Sequence, residues 1–274
     1  MTSVPPETCP RHPDRITGRH CTRCGRPACS TCLRQAAVGA HCVDCVRAEA
    51  GSPATRVATR VRRTDLVATK SIIAITVGAF VLTSVLDGRV DGRGRISADL
   101  VLYGPLVHAG EWWRLLTSSL VHFGVMHLFF NMLLLWIIGG LLEPATGPLR
   151  FTTIYIVSVL AGSAGALIAS PLIPAGGASG GVFGVAAAAT IVMQRAGVRF
   201  WDTGFGPLIV INLVLDFFIP GVSIAAHIGG LVGGGLATLA LMRGRRMGQP
   251  AIGEAGAVLV GVIAIVIALI AAAP

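Results

Sequence analysis

Charge is what this chain has least of. Only 13% of its 274 residues are Asp, Glu, Lys or Arg, where a soluble domain carries about a quarter, and Lys70 is its single lysine. With 53% hydrophobic residues, that balance excludes an ordinary water-soluble globule and points to lipid. Cysteine is absent beyond Cys45, which excludes disulfides from the long C-terminal part. The opening MTSVPPETCPRHP lacks any apolar stretch, so no cleavable signal peptide is expected there.

What is present is unevenly spread. Residues 1–70 hold 12 of the 22 Lys and Arg, five of the 13 acids and all seven Cys. From Ser71 onward the chain reads as successive apolar runs. The split predicts a small basic head and an all-α polytopic membrane body. A spanning helix needs about 20 mainly apolar residues, and seven such runs are expected, near 69–86, 125–142, 151–170, 177–195, 205–220, 223–242 and 254–273. With the N-terminus in the cytoplasm, the inner ends of the second, fourth and sixth runs carry Arg150, then Arg195 and Arg199, then Arg243, Arg245 and Arg246. The outer turns 171–176 and 221–222 carry no Lys or Arg, as the positive-inside rule requires. The arginine surplus of the head is therefore read as cytoplasmic retention rather than as a nucleic-acid surface. The Arg-rich, Lys-poor usage fits a bacterial plasma membrane.

Polar groups inside hydrocarbon are costly and mark function or pairing. Ser179 lies in Gly177-Ala178-Ser179-Gly180, three residues into the fourth run, and His227 about one turn into the sixth. His127 and Asn131, four residues apart and so on one helical face, lie in the first two turns of the second run. At about 1.5 Å per residue, all four fall in the outer third of the bilayer. A serine hydroxyl needs a neighbouring base to become a nucleophile, and histidine serves near neutral pH. The oxyanion then needs donors, which the Asn131 amide, an N–H of His127 and the backbone N–H of Ser179 can supply. No acid lies near His227 in sequence, so a Ser–His dyad is expected, with Phe183 placed to stack on the imidazole. Among 35 glycines any single Gly-x-Ser-Gly is cheap, and a lone intramembrane histidine is more often packed than basic; what singles these residues out is their joint depth. Gly180 and Gly184, with Gly229, Gly230, Gly233 and Gly234, form small-xxx-small rows that let the two helices approach. His122 reads either as a brace of the site's mouth or as an interfacial residue, and Asp216 either as a gating group or as a hydrated pair.

These residues resemble the rhomboid family of intramembrane proteases. The resemblance runs from about Leu66 to Arg246 and rests on Glu111-Trp112-Trp113-Arg114, the His122/His127/Asn131 helix, Gly140-x-x-Glu143-x-x-x-Gly147, Gly177-Ala178-Ser179-Gly180 and Ala226-His227-Ile228-Gly229. It implies a six-helix core that cuts transmembrane protein substrates through Ser179 and His227, with His127 and Asn131 serving the oxyanion. The Trp-Arg motif and Glu143 become structural by the same likeness, and the seventh run is an addition found in part of the family.

The head has its own pattern: Cys9-x2-His12, Cys21-x2-Cys24, Cys29-x2-Cys32 and Cys42-x2-Cys45. Four chelating pairs make eight ligands, enough for two tetrahedral zinc ions, and a cytoplasmic head keeps its thiols reduced. The spacing is similar to the cross-brace B-box zinc fold, in which the first and third pairs hold one zinc and the second and fourth the other. His20 and His41 are competing ligands. Residues 1–48 are thus expected to be a zinc module, 49–68 a basic linker, 69–246 the protease core and 247–274 the seventh helix. The module is read as a docking element for a cytoplasmic partner, with no nucleic acid expected. The alternative function is a catalytically silent membrane adaptor using the zinc module for recruitment. A small-solute transporter is disfavoured because no inverted repeat is visible and the polar cluster lies near one surface.

Overall fold

The computed structural model describes residues 7–36, 39–50, 65–203, 206, 207, 209, 210 and 223–273. Two compact units are present, Met1–Arg62 and Arg63–Pro274. The first is built on two antiparallel ladders, β1 (Thr8–Cys9) with β2 (His12–Ile16) and β3 (Leu33–Gln35) with β4 (Ala40–Cys42), followed by α1 (Val43–Ala50). Its interior is made largely of sulfur: Cys9, Cys21, Cys29, Cys32 and Cys42 are buried beside Ala28.

The second unit is helical. Among the described residues, five helices are long and apolar enough to cross a membrane: α2 (Val67–Asp87), α6 (Val125–Thr146), α7 (Pro148–Ala169), α9 (Ile224–Arg246) and α10 (Pro250–Ala271). Three short helices, α3 (Arg95–Ala98), α4 (Gly104–His108) and α5 (Arg114–Thr117), shape the stretch between α2 and α6. The helix α8 (Ser179–Arg195) is shorter than the five and almost entirely buried along its first three turns. The fifth expected span, 205–220, falls almost wholly outside the described residues, as does Asp216.

The apolar sequence that drives these helices into lipid does not decide how they pack; small residues do. α7 is the innermost of the five, with 67% of its apolar window buried against 22% for α2 and α10. α9 presents two glycine rows to two neighbours. A Cβ on Gly229 or Gly233 would strike Ala161 of α7, while one on Gly230 would strike the Gly180 carbonyl and one on Gly234 would lie 2.5 Å from Gly184. Glycine in a helix costs about 1 kcal/mol against alanine, and close backbone contact offsets it here.

Buried polar residues fasten the ends. Glu143, 1% exposed, accepts the N–H groups of Ala68 and Thr69 and the Thr69 hydroxyl at 2.6–2.9 Å. It therefore caps α2 from a neighbouring helix, since the α2 N-cap residue Leu66 makes no side-chain cap of its own. Arg114, 3% exposed, donates to the carbonyls of Ala98 and Val101 and pairs with Glu111 at 2.6 Å. Leu102 and Ala175 exchange two backbone hydrogen bonds of 2.9 Å, and Gly104 donates to Pro171. The 88–124 stretch is thereby tied to the loop that leads into Ser179.

Candidate active site

Ser179 is the first residue of α8, two residues nearer the helix start than the apolar run suggested. The helix begins late because Gly177 has φ +135, a conformation that breaks the helical path. As a result the Ser179 N–H opens the helix with no carbonyl one turn before it to meet. His227 is the fourth residue of α9, whose start is capped by Ser223 accepting the Ala226 N–H. Across the Gly180/Gly230 contact, His227 Nε2 and Ser179 Oγ stand 2.7 Å apart, within hydrogen-bond distance. The Phe183 ring, one turn along α8, lies flat on the imidazole, with centroids 4.2 Å apart and 15° between planes. His227 is buried and Ser179 half-buried, so the imidazole is enclosed while the hydroxyl stays reachable.

α6 brings the other two groups. Asn131, buried, spends one amide hydrogen on the His127 carbonyl at 2.9 Å. His127 Nδ1 accepts the Phe123 N–H at 3.3 Å. A backbone amide can only donate, so Nδ1 is the unprotonated nitrogen and the imidazole carries its hydrogen on Nε2. That edge faces the nucleophile. A methyl placed on Gly177 would lie 2.8 Å from His127 Cε1, 3.1 Å from Nε2 and 3.7 Å from Ser179 Oγ. The missing side chain of Gly177 thus leaves a space bounded by the hydroxyl and by the donor edge of His127, where a carbonyl oxygen can develop charge.

The segment before α6 holds both sides of this space. Ser118 accepts the Gly177 N–H at 2.9 Å, and His122 Nε2 accepts the Ala178 N–H at 3.3 Å. His122 Nδ1 sits 3.4 Å from the Leu120 carbonyl, and its ring packs 5.0 Å from that of His127. Burial, with His127 nearby as the second cause, pushes His122 down to about 4, which keeps it neutral. Sequence reasoning left His122 between two readings and passed over Ser118. The usable signal was the five-residue step from His122 to His127 across Gly124, which puts the two rings on different elements.

In the head, two groups of ligand atoms converge: Cys9, His12, Cys29 and Cys32, and Cys21, Cys24, Cys42 and Cys45, each within 4.8 Å of one another. His12 Nδ1 lies 3.3 Å from the sulfurs of Cys29 and Cys32, and Cys24 and Cys42 are 3.8 Å apart. Ligands at about 2.3 Å from a tetrahedral zinc stand roughly 3.8 Å from one another, so the donor set fits the ion. The seven cysteines form no disulfides. His20 instead pairs with Glu7 at 2.5 Å, and neither it nor His41 belongs to either group.

A rhomboid domain profile matches residues 109–244. The chain is 37% identical over 159 residues to Rhomboid protease GluP of Bacillus subtilis, covering 56% of this chain and 31% of that protein. It is 31% identical over 136 residues to Putative rhomboid protease YdcA of the same organism, covering 48% of this chain and 68% of that one. Inactive rhomboid-related protein 2 of Caenorhabditis elegans is also similar, at 33% over 173 residues, with 55% of this chain and 48% of that protein covered. The chain spans about a third of the length of GluP, and the relatives include a protein named inactive, so the likeness speaks for ancestry and fold before chemistry. Profile, relatives, apolar helices and the Ser179/His227 geometry agree on one assignment: this chain belongs to the rhomboid family.

Proposed function

We propose that the chain is an intramembrane serine endopeptidase that hydrolyses peptide bonds of transmembrane protein substrates through a Ser179–His227 dyad and an acyl-enzyme. The 2.7 Å contact between His227 Nε2 and Ser179 Oγ carries this reading. A silent relative has no need to hold a base against a hydroxyl. Ser179 Oγ attacks the scissile carbonyl carbon as its proton passes to His227 Nε2, and the carbonyl electron pair moves onto oxygen. The Ser179 N–H, His127 Nε2–H and the second amide hydrogen of Asn131 are the donors within reach of that oxyanion. Collapse breaks the C–N bond, His227 returns the proton to the departing amine, and the acyl ester remains on Ser179. Water, deprotonated by His227, then attacks the ester by the same route and frees the serine. Phe183, flat on the imidazole, helps hold the ring in place for this exchange.

Cleavage of a model transmembrane substrate by the purified protein, with Ser179→Ala and His227→Ala beside it, tests the reading. Each substitution should abolish cleavage, and the double variant should be no slower, because the two act as a unit. Substantial cleavage by Ser179→Ala would remove the assignment. A folded wild type that cuts nothing would favour the adaptor reading.

For residues 1–48 we propose a B-box-like module holding two structural zinc ions, one on Cys9, His12, Cys29 and Cys32 and the other on Cys21, Cys24, Cys42 and Cys45. Zinc would supply the folding free energy that so small a core lacks. The module would dock a cytoplasmic protein, 49–68 would link it to the core at 69–246, and 247–274 would add the seventh span. In this reading the protein lies in a bacterial plasma membrane with its N-terminus inside and its active site open to the outside.

A further inference from the structure

We propose that His122 is the positioning residue of this site: by accepting the Ala178 N–H on its Nε2, it fixes the peptide plane ahead of Ser179 and leaves the Ser179 N–H as the backbone donor to the oxyanion. The inference rests on the protease reading. Three consecutive amides approach the nucleophile. The Gly177 N–H is spent on the Ser118 carbonyl and the Ala178 N–H on His122, while the Ser179 N–H opens α8. Ala178 is wholly buried, so without an acceptor its N–H would be an orphan costing about 1–3 kcal/mol. The cheapest relief is rotation of the 177–178 or 178–179 peptide, and either rotation re-aims the donor at the oxyanion.

The bond also sets the tautomer. An imidazole nitrogen that accepts from an amide is unprotonated, so His122 carries its hydrogen on Nδ1, toward the Leu120 carbonyl. His122 is 1% exposed and packs on His127, whose own Nδ1 is held by the Phe123 N–H. One short segment, 118–123, therefore aims both sides of the oxyanion space: the backbone of Ser179 through His122, and the His127 donor edge through Phe123. His122 touches neither the serine nor the base in this arrangement and acts through the main chain.

Glutamine places Oε1 about where His122 Nε2 sits and can accept the same amide, asparagine reaches only the Nδ1 position, and phenylalanine fills the volume with no acceptor. Three measurements on the purified full-length protein separate these cases: kcat and KM for a model transmembrane substrate, the rate at which a fluorophosphonate probe labels Ser179, and amide hydrogen exchange of the 175–182 segment. His122→Phe should lose about a hundredfold in kcat and labelling rate with KM little changed, the size expected when reacting groups are misplaced by about 1 Å. Exchange at 175–182 should speed up in that variant. His122→Gln should restore the rate to within about tenfold of wild type and the protection nearly fully. If phenylalanine does not fold, glutamine against asparagine makes the same comparison. Equal rates and equal protection in the acceptor and non-acceptor variants would overturn the role. A wild type that neither cuts nor is labelled, yet shows the exchange difference, would instead count against the protease reading and leave the backbone hold standing.

Discussion

Asn131 illustrates how little of a polar side chain is left for chemistry once helix packing is satisfied. One of its amide hydrogens is committed to the His127 carbonyl, which leaves a single N–H for the oxyanion role proposed above. Asn131→Ala should therefore be slow rather than dead, losing about 10²–10³ in kcat with KM nearly unchanged; a change confined to KM would make it a binding residue. His122 gives a different signature, in stability. Its folded form stays neutral down to about 4, against an ordinary value of 6.5, because burial, with His127 nearby as the second cause, opposes protonation. The unfolded chain thus takes up a proton that the folded one refuses as pH falls from 6.5 to 4. Stability attributable to His122 is complete above 6.5, declines through that window and is flat below it, by up to about 3 kcal/mol. Thermal unfolding in detergent should show this slope in the wild type, and His122→Gln should flatten it. An unchanged slope would place the titration on another group.

Helices meet here by the omission of side chains. On α9 the Gly229/Gly233 row serves α7 and the Gly230/Gly234 row serves α8, and the second row is what allows Ser179 and His227 to reach 2.7 Å. Gly234→Val should push α9 off α8 and leave the protein inserted but inactive, with fluorophosphonate labelling of Ser179 lost, because the base no longer reaches its hydroxyl. Full labelling in that variant would mean the backbone contact is not what sets the pair. α2 depends on Glu143 in another way. Its first amides are satisfied by a carboxylate on α6 rather than by a local cap, so Glu143→Gln should cost about 1–3 kcal/mol of stability without altering the chemistry.

Taken as one molecule, the chain keeps its candidate metal ligands and its candidate catalytic residues apart in sequence. All eight proposed ligands precede residue 46, and every group proposed to act on substrate lies beyond residue 100. Metal analysis of the reduced full chain should find two zinc ions, and a strong chelator should remove the protection of residues 7–48 from proteolysis while membrane-core cleavage continues. One ion or none would contradict the two groups. Deleting residues 1–60 should likewise leave cleavage of a generic transmembrane substrate largely intact in detergent; complete loss, with the core still folded, would make the head part of the catalytic machine. Zinc would also change the head's electrostatics. Residues 7–50 carry seven Arg against four acids, a surplus of three, and two Zn²⁺ on seven thiolates carry a formal charge of minus three. A loaded head is close to neutral, which suits a protein partner better than a polyanion.

Much of this was readable from residue order alone. Ser179, His127, Asn131 and His227 were singled out as candidates because a polar group in an apolar run is expensive, and helical rise converts sequence position into an expected depth. Paired Cys-x2-Cys steps marked candidate metal ligands because two residues between sulfurs suit one tetrahedral edge; the structure groups first with third and second with fourth pairs, and leaves out His20 and His41. Other features had no trace in the one-dimensional pattern. The late start of α8 depends on the φ of Gly177, the tautomer of His127 on the Phe123 amide, and the neutral state of His122 on burial against Ala178. Hydrophobic patterning is a local sum along the chain, so sequence by itself determined which segments are apolar enough to span a membrane and which polar residues interrupt them. Hydrogen-bond direction and close approach are pairwise properties of residues as many as 104 positions apart, and only the tertiary structure could decide them.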